Sequence, residues 1–120
     1  MNRYVVTGGA GFIGSALVRA LLKEGAGKVV VIDNLATGRE ENLEEVRGGV
    51  ELHRADIRCY EAIEPLVSGA GVVFHLAAIP SVPRSISDPV PSHQTNIDGT
   101  FQLFRACAAG GVGRVFYAAS

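Results

Sequence analysis

Thr7-Gly8-Gly9-Ala10-Gly11-Phe12-Ile13-Gly14 stands between an apolar run, Tyr4-Val5-Val6, and a segment with helical spacing, Ala16, Leu17, Ala20 and Leu21. The order reads as a strand, a tight glycine turn and the first turn of a helix. Such a turn aims unpaired amides and the positive end of the helix dipole at one point, which attracts phosphate. Glycine lets the backbone turn sharply and come close to a pyrophosphate that a Cβ would hold off.

Glycine spacing is weak evidence when it stands alone, but here its context agrees. A second apolar run, Val29-Val30-Val31-Ile32, follows the helix and ends at Asp33. An acid about 20 residues beyond the last glycine is placed to accept hydrogen bonds from ribose hydroxyls. Together these features predict a dinucleotide-binding unit. The carboxylate of Asp33 repels a 2′-phosphate, so the expected cofactor is NAD rather than NADP. Arg39 is the one nearby cation that argues the other way.

The 120 residues predict a single domain, and 48% hydrophobic content is enough for one buried core. Eleven basic and twelve acidic residues give a net charge of −1 without runs of one sign. Nucleic acid and anionic membrane surfaces are therefore not expected partners. No apolar run approaches membrane length, and the strand pattern starts too early for a signal peptide, so a cytoplasmic location is expected. Cys59 and Cys107 lack a Cys-x-x-Cys spacing and read as free thiols. His53, His75 and His93 show no ligand spacing, so no metal site is expected.

Apolar runs alternating with helical patterns argue for βαβ units in an α/β fold, a doubly wound parallel sheet of the Rossmann kind. Strands are expected at 3–7, 28–32, 50–54 and 72–76, with a fifth closing the chain at residue 120. A helix is expected over 12–24, and a short irregular one around Ile63, Pro65, Leu66 and Val67, ending at Gly69. Between Asn34 and Asn42 the chain reads as loop, with at most a short helix near Leu43 and Val46. The segment from Pro80 to Pro91 carries four prolines and also reads as loop. Asp88-Pro89 is a helix-start signal. The long helix that follows shows Ile97, Phe101, Phe104 and Ala108 as its apolar face, with Leu103 and Cys107 beside it. The crossover rule predicts strand order 3-2-1-4-5, with the ligand crevice at the ends of strands one and four. A fifth strand flush with the last residue suggests that residues 1–120 are the N-terminal portion of a longer enzyme, truncated after strand five.

The spacing Gly8-x-x-Gly11-x-x-Gly14, preceded by Thr7, resembles the extended short-chain dehydrogenase/reductase group, the NAD-dependent nucleotide-sugar epimerases and dehydratases. The resemblance runs from residue 3 to residue 120. It implies that Gly8, Gly11, Phe12, Ile13 and Gly14 contact the pyrophosphate. Asp33-Asn34-Leu35 with Thr37-Gly38 looks like the family's loop around the adenosine ribose. Asp56-Ile57 resembles the pair whose carboxylate takes the adenine amino group; a helix-capping aspartate fits the same spacing. His75-Leu76-Ala77-Ala78 is similar to the family's H-x-A-A/G segment, in which Leu76, Ala77 and Ala78 lie along the cofactor; His75 itself reads as a buried strand histidine rather than a base. Asn96, in Asn96-Ile97-Asp98-Gly99-Thr100, resembles a helix asparagine near the active site; an ordinary polar helix residue fits equally. Ser120 matches the catalytic serine or threonine after strand five.

Ser81-Val82-Pro83-Arg84-Ser85-Ile86 looks most like the branch acting on UDP-hexoses and UDP-N-acetylhexosamines, with Ser81, Arg84 and Ser85 on the substrate side. Some relatives carry a lysine where Pro80 stands, and its absence favours N-acetylated sugars. The activity implied is 4-epimerisation of a nucleotide sugar by transient oxidation at C4, in a homodimer. A 4,6-dehydratase or decarboxylase begins with the same oxidation, and a non-catalytic NAD-binding protein is the rival outside enzymes. The family's Tyr-x-x-x-Lys pair is absent: Tyr4 and Tyr60 are followed four positions on by Gly8 and Glu64. These 120 residues alone are therefore expected to be inactive.

Overall fold

The computed structural model describes residues 3–35, 38–76 and 99–117. β1 (Tyr4–Thr7) leads through the glycine turn into α1 (Phe12–Lys23) and β2 (Val29–Asp33). A 3₁₀ segment (Glu40–Gly49), β3 (Val50–Arg54) and α2 (Tyr60–Val67) come next, then β4 (Val72–His75), α3 (Thr100–Ala109) and β5 (Arg114–Tyr117). The five strands form one sheet in the order β3-β2-β1-β4-β5, as the crossover rule requires. All pairs are parallel; Tyr4 lies opposite Val29 on one side and Val72 on the other.

Burial explains which sequences became which strands. β2, Val-Val-Val-Ile-Asp, is buried at every position because it has a strand on each side and cover on both faces. β3 lies at the edge and alternates in polarity, with Glu51 exposed and Leu52 half-buried. Val5, Val30, Ile32 and Val73 face Ile63 and Val67 of α2 and Leu103, Ala106 and Cys107 of α3. On the opposite face Val6, Val29 and Val31 meet Val18 of α1 and Leu43.

Two expectations need correction. The buried stripe of α3 is Leu103, Ala106 and Cys107, whereas Phe101 and Phe104 are 64% and 43% exposed. The helix carries two apolar stripes, and periodicity does not say which one faces in. The narrow stripe, with small Ala106 and Cys107, allows close approach to the sheet and α2, and the phenylalanines turn outward. Ile97 lies outside the described residues. The second correction is the run after β2, where ten residues of 3₁₀ helix from Glu40, broken at Val46, take the last three positions of the expected loop and exceed the short helix expected near Leu43 and Val46. Only Leu43 is buried there, so its apolar pattern is too sparse to read.

Candidate functional site

The glycine turn closes on a single carbonyl. Gly8 has φ +73°, a left-handed conformation that glycine adopts without strain. Gly11 N donates to Gly8 O at 3.1 Å, and Gly8 N donates to Ile32 O at 2.8 Å, tying the turn to β2. A Cβ on Gly14 would lie 2.1 Å from Gly8 O, so this glycine is fixed by the packing of α1 on the turn. Gly11 differs. It has extended φ −77° and ψ 175°, open to any residue, and its Cβ would lie 3.3 Å from Gly8 O. A side chain there would press on the Gly8 carbonyl by a few tenths of an ångström, a milder restriction than at Gly14.

Gly11 is the N-cap of α1 and offers no capping side chain. Ser15 N is the first amide bonded into the helix, to Gly11 O at 2.9 Å. The amides of Phe12, Ile13 and Gly14 therefore have no partner among the described residues, and they converge at the positive end of α1. Phosphate oxygens supply the acceptors this arrangement lacks, so the turn fits the pyrophosphate of a dinucleotide. The side chains of Phe12 and Ile13 are exposed.

Asp33 is 7% exposed. Its Oδ2 accepts from Ala10 N at 3.0 Å, and its Oδ1 accepts from Leu35 N at 2.7 Å. Four lone-pair positions on a carboxylate leave room for ribose hydroxyls beside these two amides. Leu35 has φ +62°, which a leucine avoids; its bond to Asp33 holds it there. Gly38 is buried, and a Cβ on it would meet Asp33 Oδ2 at 2.8 Å and Ala10 C at 2.9 Å. Its lack of a side chain lets the loop lie against the turn. Asn34 is exposed beside Asp33.

At the end of β3 the Asp56 carboxylate accepts from Arg58 N at 2.9 Å and from the Arg58 guanidinium through Nε and Nη2. These side-chain hydrogen bonds hold its carboxyl below the usual carboxylate range, against the opposing effect of partial burial. Asp56 does not cap α2 with its side chain; the N-cap is Cys59, and only Asp56 O, the backbone carbonyl, accepts Cys59 N. The Ile57 side chain is buried in the core, so a ligand can meet this residue only through its backbone.

His75 is fully buried at the end of β4. Leu76 N donates to Thr7 Oγ1 at 3.0 Å, and that hydroxyl lies 2.8 Å from His75 Nδ1. His75 Nε2 lies 2.8 Å from Thr100 Oγ1, so one imidazole ties β1, β4 and α3 together. Burial lowers its pKa to about 4. At neutral pH the ring is uncharged and both nitrogens are engaged, which suits a brace and not a base.

The structure thus brings Gly8, Gly11, Gly14, Asp33, Leu35 and Gly38 together, with Asp56 at the next strand end. Thr37, Ala77, Ala78, Ser81, Arg84, Ser85, Asn96 and Ser120 lie outside the described residues. Sequence reasoning missed Arg58, whose spacing of two from Asp56 is a local signal, and Asn42, for which the sequence offers none. Among the described residues no three His, Cys, Asp or Glu side chains gather as a metal site. Nor is any described helix long and apolar enough to cross a membrane.

Residues 4–120 match the sequence profile of the NAD dependent epimerase/dehydratase family. The UDP-glucose 4-epimerase of Mycolicibacterium smegmatis is 42% identical over 121 residues, covering 98% of this chain and 38% of that protein. The UDP-glucose 4-epimerase of Thermus thermophilus, solved in complex with NAD, is 43% identical with a TM-score of 0.84, covering 94% of this chain and 36% of that one. The dTDP-glucose 4,6-dehydratase of Streptomyces venezuelae, solved with NAD bound, is 37% identical with a TM-score of 0.90, covering 94% and 38%. The chain therefore spans well under half the length of these relatives.

Proposed function

This chain belongs to the NAD dependent epimerase/dehydratase family, and on that premise we propose that it is the NAD-binding portion of a nucleotide-sugar 4-epimerase. UDP-hexoses or UDP-N-acetylhexosamines are its substrates. The observation that carries the cofactor half is the row of amides at Phe12, Ile13 and Gly14, without partners among the described residues, beside the buried Asp33 carboxylate. For the epimerase half, the support is the segment from Ser81 to Ile86, and the fact that the two more identical relatives named above are 4-epimerases. A 4,6-dehydratase is the second reading, favoured by the close overlay on the Streptomyces venezuelae enzyme.

Bound NAD supplies the hydride acceptor and donor, so a sugar carbon can be oxidised and reduced again with the cofactor retained. The chain's own residues do the holding. The α1 amides take the pyrophosphate, and Asp33 accepts ribose hydroxyls while its charge repels a 2′-phosphate. Asp56 is the adenine contact, with Asn34, Thr37, Ala77, Ala78 and Asn96 completing the cofactor shell on the strength of the resemblance. Ser81, Arg84 and Ser85 take the sugar nucleotide, and Ser120 is the catalytic serine. His75 keeps the end of β4 in place and moves no proton. Proton transfer from the sugar hydroxyl falls to groups beyond these 120 residues.

The test is to incubate the whole protein with UDP-glucose and UDP-N-acetylglucosamine and follow products by proton NMR. Appearance of the C4 epimer without net NADH is expected. A 4-keto-6-deoxy product would move the assignment to the dehydratases, and stoichiometric NADH would make it a dehydrogenase; both leave the cofactor site standing.

A further inference from the structure

Two consecutive peptide groups of the glycine turn are held from the β2 side. The N–H of Ala10, in the Gly9–Ala10 peptide, donates to Asp33 Oδ2 at 3.0 Å. The carbonyl of Ala10, in the Ala10–Gly11 peptide, accepts twice: from Arg39 N at 2.9 Å and from Asn42 Nδ2 at 2.8 Å. The other end of that peptide, Gly11 N, is bound to Gly8 O. The Ala10–Gly11 plane is thus fixed at both ends, and it sets the direction in which the following amides of Phe12 and Ile13 point.

One of those clamps is a side chain 32 residues away in sequence. Asn42 sits in the 3₁₀ segment, and its own carbonyl accepts from Arg19 Nη1 of α1 at 3.1 Å. It therefore touches the turn with its side chain and the helix that leaves the turn with its backbone. Only a donor satisfies the Ala10 carbonyl, so the Asn42 amide must present its NH₂ there.

We propose that Asn42 is a positioning residue for pyrophosphate binding: through the Ala10 carbonyl it orients the amides that receive the phosphates. This rests on the NAD reading of the turn. The Asn42 amide acts on the turn through the Ala10 carbonyl, so its contribution follows the pyrophosphate and not the adenosine.

The experiment measures binding of NAD, ADP-ribose and adenosine by calorimetry to the whole protein, wild type and Asn42→Leu, which keeps the shape but has no donor. NAD and ADP-ribose should each weaken by roughly three- to tenfold, as expected for one lost hydrogen bond, with adenosine unchanged. Asn42→Ala, measured alongside, should show the same ligand pattern and secures the test if the leucine variant folds poorly. Equal weakening of all three ligands would show a merely structural role, and unchanged NAD affinity in a folded variant would overturn the inference while leaving the cofactor site intact. Failure of the wild type to bind NAD or ADP-ribose would overturn the cofactor reading as well.

Discussion

The ends of β2 and β3 each present an aspartate at the same edge of the sheet; both accept from the backbone amide two residues on, and they differ in what holds them besides. Asp33 is nearly inaccessible and accepts from two backbone amides, one of them in the glycine turn. Asp56 is 33% exposed and is held by one arginine two residues away. Backbone donors cannot rotate away, so Asp33 is part of the turn's framework as well as a ligand partner. The Arg58 guanidinium faces solvent and can swing aside while its backbone amide stays, which frees part of the Asp56 carboxylate for a new donor without disturbing the fold.

The comparison breaks most visibly where the framework is densest. Gly14→Ala, by driving a Cβ into the Gly8 carbonyl, should destabilise the protein by roughly 3 kcal/mol or more, beyond any gain in helix propensity. Urea unfolding measures this; wild-type stability would show that the β2 corner is not rigid.

A buried polar brace should also reveal itself in acid. His75 has its pKa depressed from 6.5 to about 4, so between those values the unfolded chain binds a proton that the folded one refuses. Stability is fully present above pH 6.5 and should fall by on the order of 3 kcal/mol as the pH drops to 4. His75→Gln should flatten that part of the profile. An unchanged slope in the variant would mean that another group is responsible.

Asp33→Ala removes two charge-assisted bonds at once and should cost roughly 2 kcal/mol of stability. It should also weaken NAD and narrow its advantage over NADP, since a hydrogen bond and a repulsive charge disappear together. A variant that still rejects NADP as strongly as wild type would place discrimination elsewhere. Smallest of all is the β3 corner: a double-mutant cycle of Asp56→Ala and Arg58→Ala should give a coupling below about 1 kcal/mol. A larger value would erase the contrast between the two carboxylates.

How much of this was legible depended on the range of the interactions. β1, the turn, α1 and β2 could be read because their signals are local: an apolar run, glycines at fixed spacing, then a second run ending in an acid. The position of Asp33 was legible, but its bond to Ala10 was not, since no pattern links residues 23 apart. The face of α3 is not legible in the sequence, because Phe101 and Phe104 outweigh Leu103, Ala106 and Cys107 in bulk, while close packing favours the smaller set. In the sequence Asn42 is one polar loop residue among several, because the carbonyl it serves is set by tertiary structure alone.

The glycine turn also carries its own reporter. Ala10 N is buried and bonded to Asp33, and Gly11 N is bonded to Gly8, while the next three amides have no partner among the described residues. Solvent deuterium should therefore reach Phe12, Ile13 and Gly14 quickly and Ala10 slowly, within a stretch of five residues. A phosphate seated on the turn would slow the fast three and leave the slow one as it was. Exchange at four neighbouring amides would then distinguish a filled site from a merely stabilised fold, residue by residue.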